Sequence, residues 1–329
     1  MIHKKITSPT VRAASLVALT PLLAPLLAPL SPLASAGTET ALPEPAQVSG
    51  GFENVRRPIS NPTLFDLAIP RTQVRPIYLH QNMPNKINSS LGKLDLGGDF
   101  TVMALQFEYA VNERFSIVAM KDGYIDFDPS ATLSNATGFA DLAAGVKYAF
   151  ILDPANQLAV SGSAVIELPT GDDDVWQGNG DGALSLNVSA VKLTGNWQLA
   201  GALGVHLPFD TDDESTTAFA SAHVGYSVTD RLYALAELNW YGVLSDADGN
   251  ANFKKHVGGA VPAVIDFEGG DLVNFGASDP NSNIVTAAVG LRYKLNNRVD
   301  LGIAYEFPLT DEEDNLMENR ITLDMVVTF

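Results

Sequence analysis

Long stretches in which apolar and polar residues alternate constrain this chain more than any other feature. Near the C-terminus, Ile321, Leu323 and Met325 fall on one side of an extended strand, and Thr322 and Asp324 fall on the other. A period of two predicts a β-strand whose faces meet two different environments. Twelve such segments follow one another, near residues 74–84, 99–111, 115–127, 138–152, 158–168, 182–193, 197–208, 217–228, 232–243, 284–295, 299–308 and 319–329.

The connections between these segments are alternately short and long. Short turns follow residues 111, 193, 228 and 295, whereas residues 169–181 and 244–283 form long polar loops. Soluble sheets also alternate, but their strands usually have about 5 to 6 residues, and these are about twice as long. The pattern predicts an all-β fold, a transmembrane antiparallel up-and-down β-barrel of about 12 strands over residues 73–329.

Aromatic residues support a bacterial outer membrane location. They collect beside the short turns, as expected of a girdle at the periplasmic interface of the membrane: Tyr109, Phe115, Tyr148, Phe150, Trp197, Tyr226, Tyr293 and Phe329. Phe329 ends the last strand, which resembles the C-terminal signature read by the barrel-assembly machinery. We therefore expect outer-membrane lipids and that machinery, through the Phe329 strand, as partners.

The region before the barrel divides into two parts. A basic start, an apolar run from Ala13 and the small residues up to Ala36 predict a secretory signal peptide over residues 1–36. Residues 37–72 contain five prolines and no periodic pattern, which predicts an extended Pro-rich periplasmic tether. The formal net charge of −18 excludes a nucleic-acid partner.

Turn lengths predict which residues face each other across the short hairpins. Matching the apolar faces puts Lys294 opposite Asp300, His223 opposite Glu237, and Val111 opposite Phe115. In the sixth strand the apolar face switches between Val188 and Val191. The switch predicts a bulge near residues 189–190.

The polar faces of the strands are expected to line the lumen. The charged and histidine side chains on these faces are Glu108, Asp122, Asp141, Lys147, Glu167, His206, His223, Glu237, Arg292, Lys294, Asp300, Glu306 and Asp324. Eight-stranded barrels are filled by their own side chains, and barrels of 16 or more strands leave an open channel. Twelve strands are compatible with a narrow polar passage, and also with a lumen blocked by ion pairs. No cofactor is predicted.

The sequence contains candidates for two further kinds of site, a catalytic site and a calcium site. His206 or His223, the latter oriented by Glu237, could serve as the base of a hydrolase with Ser221 or Ser163 as its nucleophile, although no spacing brings either serine to a histidine. The acidic loops at residues 170–182 and 245–252 do not follow the EF-hand pattern, which argues against calcium. The apolar stretch 260–275 predicts that the 244–283 loop folds into the lumen or forms an external hairpin.

Three stretches resemble a known family. They are TGFADLAAGVKYAFI (137–151), VIELPTGDDD (165–174) and GNWQLAGALGVHLPF (195–209). In these stretches, the chain is similar to the bacterial outer-membrane proteins named after the meta-pathway of phenol degradation, which are described as transporters. The resemblance implies a barrel that passes small, often hydrophobic or aromatic, compounds.

The leading hypothesis is therefore an outer-membrane channel for the passive passage of small solutes. The alternatives are an outer-membrane hydrolase and a structural or adhesive barrel with a closed lumen.

Overall fold

A computed structural model describes residues 50–88, 92–178, 180–212, 214–245, 247, 272 and 283–329. Its regular secondary structure is almost entirely β-strand. The strands are β1 (Gln73–Asn82), β2 (Lys86–Ile87), β3 (Leu94–Asp95), β4 (Gly98–Ala110), β5 (Phe115–Lys121), β6 (Tyr124–Pro129), β7 (Ala136–Phe139), β8 (Leu142–Asp153), β9 (Leu158–Leu168), β10 (Ala183–Thr194), β11 (Trp197–Pro208), β12 (Thr216–Ser227), β13 (Leu232–Ser245), β14 (Asn283–Lys294), β15 (Val299–Pro308) and β16 (Asn319–Thr328). Two short 3₁₀ turns cover Asp173–Val175 and Glu312–Asp314.

The main sheet closes on itself. It contains fourteen strands, and β1 pairs with both β16 and β4. Strands β5 and β6 both pair with β4, and β8 and β7 pair with them on the other side. Strands β5 and β6 together therefore form one interrupted wall strand, and β8 and β7 together form another. The fourteen strands of the sheet thus make up the predicted twelve wall strands. The remaining strands, β2 and β3, form a separate small sheet.

The predicted hairpin registers are confirmed. Lys294 lies opposite Asp300, and His223 lies opposite Glu237. The backbone N–H of Val111 donates to the carbonyl of Phe115, at 2.9 Å. Turn length and the position of the apolar face were sufficient to fix these pairs, because a slip of one residue would exchange the two faces.

The bulge predicted in the sixth strand is wrong. Strand β10 pairs with β9 and β11 without a register shift, and Val191 faces the lumen with the same alternation as Ser189. Val191 is apolar on a lumenal face because it packs against Phe52, Val55 and other apolar residues inside the barrel. The register shifts in the described strands lie elsewhere, in β5, β8 and at the start of β12.

The outer surface is apolar and carries aromatic rings near both ends. Trp197 and Tyr226, beside the short turns, are exposed, and their ring centroids lie 4.7 Å apart. Toward the other end of the strands, Tyr124 and Phe139 form a second exposed pair, with centroids 5.4 Å apart. Rings at two levels with aliphatic residues between them are the arrangement expected of a surface that meets lipid.

The N-terminal segment differs from the predicted tether. Its described part, residues 50–72, lies inside the barrel, where Phe52, Val55 and Ile59 are fully buried. We call residues 50–72 the plug. The prediction failed because the segment's partners are wall residues far along the chain, so no local periodicity marks it.

Several predictions fall on residues that the structure does not describe. These are the signal peptide, residues 37–49 and most of the 244–283 loop, including Asp246, Asp248 and Asn250. Within the described ranges, no helix is long and apolar enough to cross a membrane.

Gly225 allows a close approach inside the wall, and this leads to a stability prediction. A Cβ atom at this position would lie 1.8 Å from the hydroxyl oxygen of Tyr233. We expect Gly225→Ala to displace that ring and lower the free energy of unfolding by about 1–3 kcal/mol. Urea titration of the protein in detergent micelles measures the change. Gly50→Ala is the control, because nothing lies within 4 Å of its added methyl group. Equal stabilities of the two variants would contradict the prediction.

Candidate functional site

The plug enters and leaves the lumen at the periplasmic end. Gly51 lies beside the β8–β9 turn, where its carbonyl accepts a hydrogen bond from the side chain of Gln157. At the other end, the carbonyl of Thr72 accepts a hydrogen bond from the backbone of Phe329, at 3.0 Å. Between these points the chain rises to Pro62 and Thr63 and then returns to β1. The plug therefore forms a loop whose two ends lie at the same rim.

Wall side chains satisfy much of the main chain of the plug. Gln198 both accepts from the N–H of Arg56 and donates to its carbonyl, at 2.8 and 2.7 Å. Other wall side chains bond single plug carbonyls: Gln106 to Pro62, Asn187 to Leu64 and Lys147 to Leu67. Because a buried backbone group without a partner is costly, these bonds allow an irregular segment to occupy the lumen.

Four charged side chains link the two halves of the plug to each other and to the wall. Arg57 and Asp66, both in the plug, form an ion pair at 2.9 Å. Lys147 of the wall contacts both Asp66 and Glu108, each at 2.8 Å. Burial raises the pKa of Asp66, but the charges of Lys147 and Arg57 outweigh this effect and hold that pKa below its ordinary value. The Asp66 carboxylate is therefore charged and paired.

A second ionic group contains two guanidinium groups and one carboxylate. Asp324 accepts hydrogen bonds from Arg75, at 2.7 Å, and from Arg292, at 2.9 and 2.7 Å. Both arginines also donate to plug carbonyls, Arg292 to Arg57 at 2.6 Å and Arg75 to Pro58 at 3.0 Å. The group carries one surplus positive charge, which faces carbonyl oxygens of the plug.

Around His223, the arrangement is not that of a hydrolase. One ring nitrogen bonds Glu237 and the other bonds the hydroxyl of Tyr233, each at 2.7 Å. The hydroxyl of Ser221 donates to Asn239 instead. His223 therefore has no ring nitrogen left to activate a serine. Glu237 also accepts hydrogen bonds from the plug, including one from the Ser60 hydroxyl at 2.5 Å.

The acidic 169–181 loop folds toward the extracellular mouth. Val175 and Trp176 are buried there with Phe100, Phe127 and Leu272. The Asp141 carboxylate fixes the loop by accepting the backbone N–H groups of Gly171 and Gly178, at 2.8 and 3.1 Å. Although the loop is rich in Asp, its buried Val175 and Trp176 anchor it to the barrel. Among the described residues, no group of three or more candidate metal ligands occurs.

A small cavity lies beside the plug tip. Its volume is about 20 Å³, close to what one water molecule needs. It is lined mainly by apolar groups from the plug tip, from β1 and β4, and from the 244–283 loop, among them Pro62, Leu79, Val102 and Leu272. Among the described residues, the plug thus occupies the periplasmic part of the lumen, and Val175, Trp176 and Leu272 pack near its other end.

The structure places the thirteen predicted lumenal residues as follows. Eight are buried inside the barrel: Glu108, Asp141, Lys147, His223, Glu237, Arg292, Glu306 and Asp324. Five are partly buried: Asp122, Glu167, His206, Lys294 and Asp300. Glu167 pairs with Lys121, and His206 hydrogen bonds to Ser185 across β10 and β11, at 2.9 Å. Asp122 accepts the N–H of Leu105 where β5 and β6 are interrupted. Whether these residues line a conducting path stays a prediction.

The buried lumenal residues that were missed include Arg75, Gln198 and Arg320. Arg75 lies on a face of β1 that also carries Ile77 and Leu79, so that face does not appear polar in the sequence. The alternation of β1 was the available signal, because every second residue from Gln73 onward is buried.

Comparison with known proteins places the chain among outer-membrane barrels. A model of the family described as "Putative MetA-pathway of phenol degradation" matches residues 81–320. The fold is similar to that of the COG4313 outer membrane channel from Pseudomonas putida F1, with a TM-score of 0.54 and 15% identity over 79% of this chain and 96% of that chain. The translocator domain of autotransporter NalP from Neisseria meningitidis gives a TM-score of 0.47 and 10% identity over 79% and 88% of the two chains. No curated protein matches the sequence.

Lys147 provides a test of the ionic group that holds the plug. Lys147→Met would leave Glu108 without its closest cation and Asp66 with Arg57 alone. Breaking a buried pair costs about 3–5 kcal/mol, so we expect the free energy of unfolding in urea to fall by that amount. Lys192→Met is a matched control, since this wall lysine bonds a turn carbonyl in an exposed position. A loss below 1 kcal/mol for Lys147→Met would show that the group contributes little.

Proposed function

The chain belongs to the MetA-pathway of phenol degradation family, and from this premise we propose that it is an outer-membrane channel for small solutes that opens when the plug withdraws toward the periplasm. The observation that carries the proposal is that the plug is joined to the barrel only through side-chain contacts and its two ends, without strand pairing in the described residues. A segment held in this way can leave the lumen while the barrel wall keeps its hydrogen-bonded ladder.

The ion pairs favour withdrawal as a unit. The plug retains its internal pair, Arg57 with Asp66. On the wall, Lys147 retains Glu108, and Asp324 retains both of its arginines. A buried charge that loses its only partner costs several kcal/mol. Because each of these charges retains a partner, withdrawal avoids that cost.

The solutes that we propose are small and include hydrophobic or aromatic compounds. Apolar plug residues pack against the lumenal wall: Ile59, for example, contacts Tyr233, Leu235 and Ala304. Their departure would expose apolar surface in a lumen that also contains charged groups. Mixed surfaces of this kind suit molecules that combine an apolar body with a few polar groups.

The exposed surfaces of the barrel also indicate its partners. The exposed apolar face of the barrel meets the lipids of the outer membrane. We propose in addition that the barrel-assembly machinery recognises β16 and Phe329, whose ring is exposed at the periplasmic rim. We assign no catalytic residue: both ring nitrogens of His223 are bonded to Glu237 and Tyr233, and the serine beside His206 is Ser185 rather than the Ser221 or Ser163 of the hydrolase hypothesis.

A disulfide between plug and wall tests the proposal, and the chain is free of other cysteines. The Ser60 hydroxyl lies 3.0 Å from the side-chain nitrogen of Asn239. We expect the Ser60→Cys, Asn239→Cys double variant to be closed when oxidised and to conduct ions when reduced, as measured for single channels in planar bilayers. The reason is that the bond holds the plug in the lumen.

A disulfide within the wall serves as the control. The hydroxyls of Ser161 and Ser189 lie 3.0 Å apart on neighbouring strands, so cysteines at both positions would leave the plug free. This variant should conduct in both redox states. Silent membranes for every variant in both states would instead favour a structural or adhesive barrel.

A further inference from the structure

We propose that the wall surface covered by Pro58, Ile59 and Ser60 is the solute-binding site of the open channel, and that its ligands are small hydroxylated carboxylates with an apolar body. This inference rests on the proposed function, because the site becomes accessible only when the plug withdraws. Its basis is the set of groups that the plug presents to the wall at these three residues.

One end of the site is built to hold anionic oxygen. Arg75 donates to the carbonyls of Pro58 and Ile59, at 3.0 and 3.3 Å, and Arg292 donates to the carbonyl of Pro58, at 3.3 Å. Both arginines are almost fully buried. The two guanidinium groups share the single carboxylate of Asp324. With the plug gone, their surplus charge and free N–H groups would suit a carboxylate, because charge-assisted bonds to planar guanidinium groups are the strong ones.

The opposite end is built to accept hydrogen bonds. Glu237 accepts from the N–H groups of Ile59 and Ser60, at 3.0 and 2.7 Å, and from the Ser60 hydroxyl at 2.5 Å. The same hydroxyl accepts from Asn239, at 3.0 Å. A hydroxyl group of a solute could take the place of the Ser60 hydroxyl, donating to Glu237 and accepting from Asn239. Glu237 would repel a second carboxylate there, which fixes the orientation of the ligand.

The surface between these ends is apolar. The Ile59 side chain is fully buried against Tyr233, Leu235 and Ala304. Gly302 makes room for it, since a Cβ atom there would lie 3.0 Å from the terminal carbon of Ile59. The isoleucine side chain therefore marks the place of an apolar body, such as an aromatic ring, between the two polar ends.

Such a ligand would compete with the plug. Because it binds only after Pro58, Ile59 and Ser60 have left, it must shift the population toward the withdrawn state. The solute would then promote opening of its own path. Solutes that lack either polar group should do so less effectively.

Thiol labelling measures this effect directly. A Thr63→Cys variant places the single cysteine at the partly buried plug tip. We expect 4-hydroxybenzoate to accelerate maleimide labelling about tenfold more than benzoate or phenol at equal concentration. Tenfold corresponds to about 1.4 kcal/mol, the scale of one charge-assisted bond. Equal rates with all three solutes would overturn the proposal, and this arm needs no change in the wall.

Arginine variants in the same background locate the site. Arg75→Gln leaves Arg292 paired with Asp324 through two bonds, at 2.9 and 2.7 Å, but removes the surplus charge. It should abolish the acceleration by 4-hydroxybenzoate. Arg320→Gln is the matched control, because Arg320 is equally buried in the lumen and pairs with Glu306 and Gln81 rather than with the plug. Loss of the acceleration in both variants, or in neither, would refute the assignment to Arg75.

The labelling result is independent of the conductance result. If the reduced double-cysteine variant conducts but 4-hydroxybenzoate does not accelerate labelling, the channel stands and the binding site is wrong. If labelling responds as expected and no variant conducts, the plug moves with the solute but the passage of ions is refuted.

Discussion

Irregular backbone inside a membrane barrel must find a hydrogen-bond partner for its buried N–H and C=O groups, and the rest of this structure depends on that requirement. The wall meets it through its own ladder, which closes when β1 pairs with β16 and β4. The plug has no ladder, so wall side chains take over, with Gln198 bonding both the N–H and the carbonyl of Arg56. The plug therefore requires polar side chains on the lumenal face of the wall, just as a water-filled passage would.

The same requirement explains which features the sequence could predict. Strand number, hairpin register and outward faces follow from a period of two and from turn length, both of which are local. The turn of residues 229–231 and the apolar faces beside it were sufficient to predict that His223 lies opposite Glu237. The plug could not be found in this way, because its bonds to the wall join distant parts of the chain, 44 positions apart for Pro62 and Gln106 and 142 for Arg56 and Gln198.

One signal of the plug was nevertheless present in the sequence. Val191 broke the polar face of its strand, and a bulge was inferred on the assumption that the lumen contains only water and polar groups. An apolar residue on a lumenal face also indicates an apolar object inside the barrel, which here includes Phe52 and Val55. Val175 and Trp176 in the acidic loop also indicate apolar packing inside the barrel, since both are buried at its mouth. Eight of the thirteen predicted lumenal residues are thus buried inside the barrel, whereas their partners in the plug were not foreseen.

Barrel size gives these observations a common cause. Eight strands enclose a space that side chains alone can fill, and sixteen or more leave a channel. Twelve strands enclose more space than the side chains of the wall fill. The plug, a single irregular loop, fills the remaining space. Its charged residues Arg57 and Asp66 pair with each other, and the wall residues Lys147 and Glu108 also pair with each other. The loop therefore seals the barrel without becoming part of its wall, and for that reason a closed lumen and a function in transport are compatible.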